Sequence, residues 1–477
     1  MIADRDRLAS TAARDVALEC LEAGIEAGHP RTVVRDTVSL ERETLRIADA
    51  TYDLGEYEEI VVLGGGNAAA HVAVALESIL GELIDGGVVV TDDPVETERV
   101  AVREGDHPVP SERGVDGTRD VLEVADAATE STLVLAAITG GGSALMPAPA
   151  GDVSLEALQT TTDALLASGA DIGEINAVRK HLSALKGGRL ARRAAPATVA
   201  SVVLSDVVGN DLSVIASGPV APDASTFDEA LAVLERYGID APEAVAKHLD
   251  RGAAGKLAET PGPDAPVFET VSNHVVADGM TVLEAARDAA AERGYEPLVL
   301  SSRVRGEARD AATTHVAIAE EVWATGTPVS PPAVLLSGGE TTVTVRGDGT
   351  GGPNQEFATS AALELEEGGG DEDGSGDEEG GGDEGDGSDE TGSSGEITVA
   401  AVDTDGIDGA TDAAGALVDG TTVEDTTAAR ETLAENDVYP YLESRNGLIL
   451  TGPTGTNLND LRVLVVGYSS HCKSLHT

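Results

Sequence analysis

One unit recurs along this chain: a short apolar run, a glycine-rich turn, then an alanine-rich stretch with helical spacing. Ile60–Leu63 leads into Gly64–Gly66 and then Asn67–Leu80. Leu133–Ile138 leads into Gly140–Gly142, and Val199–Leu204 into Ser205 and Asp206. Val334–Leu336 leads into Ser337–Gly339, and Ile397–Val402 into Asp403–Gly409. Val88–Thr91 and Leu461–Val466 read as further strands. Such alternation implies α/β architecture with largely parallel sheets. The length, 477 residues, accommodates two or three domains at about 100–200 residues each. Arg7–Ala27 reads as an amphipathic helix, and Asp163–Arg193 as mostly helical with a break near Gly187 and Gly188. The Pro- and Gly-rich stretch Thr260–Pro266 reads as either a boundary or an edge loop, and a first domain over 1–240, expected to be Rossmann-like, is followed by a second over 260–467.

Charge narrows the function. There are 85 acidic and 31 basic residues, for a net charge of −54, and only five positions are lysine. The tract over 366–395 contains only Glu, Asp, Gly, Ser and Thr, and cannot bury apolar surface, so it is expected to be a disordered acidic insertion. It holds 13 of the 85 acidic residues, so the excess runs through the folded parts as well. A surface of this kind repels itself unless salt screens it, which reads as adaptation to a salt-filled cytoplasm. Nucleic acid and anionic membrane are excluded as partners, since both require a basic footprint. Met1–Ser10 has no apolar core for a signal peptide, and no run of about 20 apolar residues exists, so a cytoplasmic protein is expected. Residues 468–477 read as a loose tail.

Glycine turns at strand ends present backbone N–H groups and helix N-termini to an anion. Gly64, Gly65, Gly66 and Asn67 make one such turn; Gly140, Gly141, Gly142 and Ser143 make another; Ser337–Thr341 makes a third. The first lacks a full GxGxxG, because Ala69 takes the last glycine slot, and no GxxxxGK[ST] is present. A variant ending in Ala is permitted, so a nicotinamide reading stays open here. Asp403, Asp405 and Asp408 follow a strand among turn-forming glycines and read equally as a magnesium site or as an acidic turn. Arg179, Lys180 and Lys186 concentrate base in a chain starved of it, which points to an anionic ligand. Asp206, at a strand end, is placed to accept a hydroxyl proton. Asn457, beside two threonines and two glycines, is a donor for a carboxylate or phosphate. Ser143 has no G-x-S-x-G elbow around it, which disfavours a serine hydrolase.

Seven ordered motifs give this chain a resemblance to the glycerate 2-kinase family, of the haloarchaeal type, whose C-terminal half is called the MOFRL domain. They are GDHPVP (105–110), TGGGSALMPAP (139–149), ASGADIGEINAVRKHLSALKGGRLA (167–191), LSDVVGNDLSVIASGPV (204–220), SGGETTVTV (337–345), DTDGIDGATDAAGALVD (403–419) and TGPTGTNLNDL (451–461). The resemblance implies two unlike three-layer α/β domains with the active site in the cleft between them. It also implies ATP and Mg2+ as cofactors and D-glycerate as the hydroxy-acid substrate, phosphorylated to 2-phosphoglycerate. Asp206 and Asn457 match family active-site positions. Asn354 and Glu356 fall in the family's GGRNQE segment, and are expected to bind substrate or nucleotide. The sequence departs from the family twice: Asn67 stands where a lysine is usual, and Pro353 where an arginine is usual. Lys180, Lys186 and Arg179 are the candidates to supply the missing positive charge, with Lys180 expected to be catalytic. Two rival expectations remain: a hydroxypyruvate reductase using NAD(P)H, and a catalytically silent ligand-binding relative. A homo-oligomer is left open.

Overall fold

The computed structural model describes residues 1–368 and 397–467. The expected acidic insertion lies outside the described residues from 369 on, and so does the tail 468–477. Glu366–Gly368, expected to belong to that insertion, instead complete the helix Pro353–Gly368. The chain divides into two compact units. The first comprises Gly28–Asp278 with Gly455–Leu458; the second comprises Met1–Ala27, Gly279–Thr454 and the chain from Asn459. This differs from the expected 1–240 and 260–467 division. The N-terminal helix Ala12–Gly28 lies almost wholly in the second unit, while helix Glu243–Ala253 and the strand after it belong to the first.

In the first unit, β1 (Val38–Glu41), β2 (Thr44–Ile47) and β3 (Ala50–Asp53) form a small antiparallel sheet. Then β4 (Glu59–Gly65), β5 (Gly86–Thr91), β6 (Ala101–Glu104), β7 (Thr132–Ile138), β8 (Thr198–Leu204) and β9 (Val271–Ala277) pair in parallel, in the order β6-β5-β4-β7-β8-β9. The sheet starts at β4, grows one way through β5 and β6, then the other way from β7. Its direction reverses between β4 and β7, and ligands of such sheets bind beyond the carboxyl ends of the strands at that reversal. β7 is buried along its whole length, as expected of a strand covered on both faces. Val134, Ala136 and Ile138 share one apolar cluster with Val121, Leu122 and Ala125 of helix Glu112–Ala127. Leu133, Leu135 and Ala137, pointing the other way, are equally buried.

The stretch 163–193 is broken into helices: Leu155–Ala167 ends there, and Ile172–His181 and Arg189–Ala194 follow. Asp171 starts the middle one with a capping box to Glu174. Together with helices Phe227–Arg236 and Glu243–Ala253, the first two enclose a separate apolar cluster around Leu165, Val178, Phe227 and Leu249.

The sheet of the second unit contains β10 (Glu296–Glu307), β11 (Ala333–Thr342), β12 (Ile397–Asp403), β13 (Gly415–Asp419), β14 (Leu448–Ile449) and β15 (Asp460–Val466), in the order β10-β11-β15-β12-β13-β14. Here the sheet is mixed rather than largely parallel: β10 and β11 are parallel, and the other pairings antiparallel. The reason is connection length. A parallel neighbour needs a crossover of a dozen or more residues, usually helical. The segment 404–414 between β12 and β13 holds no helix and returns antiparallel. Leu335, Val399, Ala401, Leu464 and Val466 pack against Phe357, Ala358 and Ala361 of the helix Pro353–Gly368. Helices cover the opposite face too: a Cβ at Gly24 in the N-terminal helix would lie 2.7 Å from Leu461 and 2.9 Å from Val282. Among the described residues no helix is long and apolar enough to cross a membrane.

Candidate active site

The two glycine turns of the first unit meet where its sheet reverses direction. Asn67 N donates to Gly140 O at 2.8 Å, and Ala68 N donates to Thr139 Oγ1 at 3.2 Å. Gly66 (φ 142°) and Gly141 (φ 74°) adopt backbone conformations that favour glycine. Side chains would also collide there, with Thr139 at Gly66 and with the Asn67 amide at Gly141. Asp206 follows β8, and its carboxylate lies against Gly140, where a Cβ would strike it. Burial pushes its carboxyl up to about 6, against the opposing effect of the backbone N–H groups of Asp206 and Gly141. Gly64, Gly65, Gly66, Asn67, Gly140, Gly141 and Asp206 are therefore neighbours, as the strand-end reading required. Asn67 does not act as a free donor: its Nδ2 donates to both oxygens of Asp92 after β5, at 3.0 and 2.8 Å. Beside it, His71 Nε2 lies 2.9 Å from Asp93 Oδ2. Asn457 joins this unit through Gly455–Leu458. Thr456 Oγ1 there donates to Gly28 O at 2.7 Å, and a Cβ at Gly455 would come 3.2 Å from His71 Nε2.

The basic cluster separates into two kinds of cation. Lys180 is buried, with Nζ 3.0 Å from Asp223 Oδ1, also buried. Burial would raise Asp223, but the Lys180 charge and hydrogen bonds from Lys180, Thr260 and Ser225 outweigh it, and its carboxyl is held below the usual range. The expected catalytic role of Lys180 is thus corrected: its ammonium is engaged in an internal ion pair. Lys186 is buried too, but its Nζ donates to Met146 O at 3.2 Å and has no carboxylate partner among the described residues. Burial, helped by the Arg179 charge, brings Lys186 down to about 7. Arg179, half-buried and lowered from its usual value by that burial, has no hydrogen-bond or ion-pair partner among the described residues. Ser143 Oγ lies 2.7 Å from Ser217 Oγ, which donates to Asn176 Oδ1 at 3.1 Å. Sequence reasoning assigned no role to Ser217. Its only signal was its place in the motif at 204–220, since no glycine marks its left-handed backbone (φ 60°).

In the second unit, Asp403 and Asp460 face each other across β12 and β15. Burial and the charges of Asp405, Asp460 and Asp408 push Asp403 well above the carboxylate range. Asp408 has a different task. Its Oδ1 accepts from Asn354 N at 2.9 Å and its Oδ2 from Gln355 N at 2.9 Å, which places it over the N-terminus of the helix Pro353–Gly368. Asp460 accepts from Asn354 Nδ2 at 2.6 Å and is bonded by the wholly buried Arg462. Asp403, Asp405 and Asp408 do not form the expected three-carboxylate metal set: among the described residues no group of three or more His, Cys, Asp or Glu is placed to hold a metal. Glu356, expected to bind a ligand, is 1% exposed, ion-paired to Arg309 at 2.6 Å and bonded by Asn436 at 2.7 Å. It fastens the helix to its surroundings.

Known proteins match across this architecture. A domain of unknown function (DUF4147) matches residues 16–250, and the MOFRL family matches residues 333–460. The glycerate 2-kinase of Pyrococcus horikoshii is 37% identical, over 95% of this chain and 97% of its own. A putative hydroxypyruvate reductase of Agrobacterium vitis is 39% identical, over 85% of this chain and 87% of its own. The crystal structure of the Thermotoga maritima glycerate kinase superposes with a TM-score of 0.78 at 38% identity, covering 94% of this chain and 98% of that one. With the sheet reversal, the paired glycine turns and Asp206 all in place, and with near-complete coverage at this identity, the chain belongs to the glycerate 2-kinase family.

Proposed function

We propose that this protein transfers the γ-phosphoryl group of ATP to the 2-hydroxyl of D-glycerate, giving 2-phosphoglycerate and ADP. The observation that carries the reading is Asp206: a carboxyl raised to about 6 by burial, lying against Gly140 at the sheet reversal. A base of that strength is ionised at neutral pH and accepts the hydroxyl proton as the oxygen attacks phosphorus. The N–H-rich turns Gly64–Gly66 and Gly140–Ser143 bind the phosphates. Two features favour the kinase over nicotinamide chemistry. Acids after the second strand of such a sheet hold the ribose of a dinucleotide. Here Asp92 is doubly bonded by Asn67, and Asp93 is engaged by His71.

Mg2+ accompanies ATP in such reactions and neutralises phosphate charge. Asp403 and Asp405 fit this ion, because the repulsion that raises Asp403 is what a cation relieves. Asp403 Oδ1 accepts from Asp405 N at 3.2 Å and Asp405 Oδ1 from Ile407 N at 2.7 Å, whereas Asp408 and Asp460 are held at both oxygens, by backbone N–H groups, Asn354 and Arg462, and fit the ion less well. Incubation with ATP, Mg2+ and D-glycerate in about 2–3 M KCl, where surface charge is screened, should release ADP only when glycerate is present. Enolase should consume the product without phosphoglycerate mutase. Product that requires the mutase would reassign the hydroxyl. NADH oxidation with hydroxypyruvate, with no ADP formed, would replace the kinase reading by the reductase.

A further inference from the structure

The fold treats its buried cations unequally. Lys180 has a buried carboxylate to itself, at 3.0 Å. Lys186, 4% exposed, and Arg179 have none among the described residues, in a chain carrying a net charge of −54. Close to them stands a set of hydrogen-bonding groups with the same incompleteness. Asn176 lies one helical turn before Arg179, on the same side of helix Ile172–His181. It is 3% exposed and its Nδ2 has no hydrogen-bond partner. Leaving a buried amide donor unmade costs about 1–3 kcal/mol, so its persistence needs a reason. The Asn176 Oδ1 is oriented by Ser217, and Ser217 is in turn 2.7 Å from Ser143. Ser217 reaches this place through consecutive left-handed residues, Ala216 (φ 49°) and Ser217 (φ 60°). Non-glycine residues in that region cost about 1–3 kcal/mol each and persist only where the surroundings hold them. Gly142 is part of the holding: a Cβ there would lie 2.7 Å from Ala216 Cβ. Lys186 reaches the same turn from its other end, donating to Met146 O.

We infer that Ser143, Asn176, Ser217, Arg179 and Lys186 form the subsite for the carboxylate of the hydroxy-acid substrate. The inference rests on the kinase reading and names what that reading leaves open, namely which groups recognise the acid. The donor set suits a carboxylate. A planar guanidinium matches its two oxygens, and the Asn176 Nδ2, aimed by the Ser143–Ser217–Asn176 Oδ1 chain of hydrogen bonds, donates to a remaining lone pair. The phosphates already have the backbone N–H groups of the glycine turns, which Ser143→Ala leaves in place. A site built around unmade donors also rejects an analogue lacking the acceptor, which is how glycerate is distinguished from an uncharged polyol.

The test uses the full chain with Arg179→Gln and, as a smaller perturbation, Ser143→Ala. D-glycerate binding is measured by calorimetry without ATP, and KM for both substrates in the coupled assay. Loss of one charge-assisted contact should weaken D-glycerate binding by roughly 10- to 100-fold in Arg179→Gln, and by less in Ser143→Ala. KM for ATP should stay within about twofold, since binding removed from one substrate only is read in that substrate's KM. The preference for glycerate over glycerol should narrow in both variants. Unchanged glycerate binding in folded variants, or a rise in KM for ATP instead, would overturn the inference. If the wild type binds glycerate and Arg179→Gln does not, yet no ADP forms, the subsite stands and the kinase reading fails. If ADP forms and neither variant alters glycerate binding, the kinase reading stands and the subsite fails.

Discussion

Asp206 carries opposite signs for catalysis and for stability. Its carboxyl is raised to about 6 by burial, so the folded protein binds a proton there that the unfolded chain has already lost. Its contribution to stability therefore improves as pH falls from above 6 towards 4, while a base at this position stops working over the same range. The expected outcome is an acid limb in kcat/KM near pH 6, with turnover in Asp206→Asn lower by about 10²–10⁴-fold and that limb gone. A pH–rate profile of the two proteins checks it, and near-normal turnover in the variant removes Asp206 from the mechanism. Lys180 behaves otherwise. Lys180→Met leaves Asp223 charged and buried without its partner, and should cost about 3–5 kcal/mol by urea unfolding. The strand-end position of Asp206 made it legible from sequence alone. The burial of Lys180 against Asp223, a residue outside its own helix, did not, because nothing local records that pairing.

At the scale of elements, the helix Pro353–Gly368 depends on a side chain far from it in sequence. Asp408 accepts the backbone N–H groups of Asn354 and Gln355 at the helix start. Asp408→Ala leaves both donors unmade and should lower stability by roughly 1–3 kcal/mol, with Asp408→Asn losing less because it keeps one acceptor. Chemical denaturation orders the three proteins. A stable Asp408→Ala protein that loses activity and its magnesium dependence would instead restore Asp408 to a metal site. Strand–turn–helix units such as Ile60–Leu80 were readable because periodicity and glycine placement are local. The antiparallel sheet of β1, β2 and β3 was missed, since its strands are four residues each and only partly buried. The mixed order of the second sheet was hidden for another reason: β15 pairs with β11 and β12, and pairing over such separations leaves no trace in a short window. Asn176 was legible, since helical spacing sets it beside Arg179, but Ser217 was not, because its significance lies in contacts with Asn176 and Ser143 that are distant in sequence.

For the whole molecule, a net charge of −54 sets the conditions under which either unit is stable. The screening length falls from about 10 Å at 0.1 M salt to about 3 Å at 1 M, so self-repulsion should relax over that interval. The midpoint of thermal unfolding should rise steadily from 0.1 M to about 3 M KCl; a midpoint independent of salt would show that the acidic surface costs the fold little. The order in which the chain is made adds a constraint of its own. Nearly all of the first unit, Gly28–Asp278, is contiguous, and domains generally fold in the order of synthesis. The second unit cannot follow that rule. Its first helix, Ala12–Gly28, is translated before any of its strands, and β15, flanked in the sheet by β11 and β12, is translated after them all. On the ribosome, that helix must wait with its apolar face uncovered while the whole first unit is synthesised, and the sheet it covers stays split until β15 emerges.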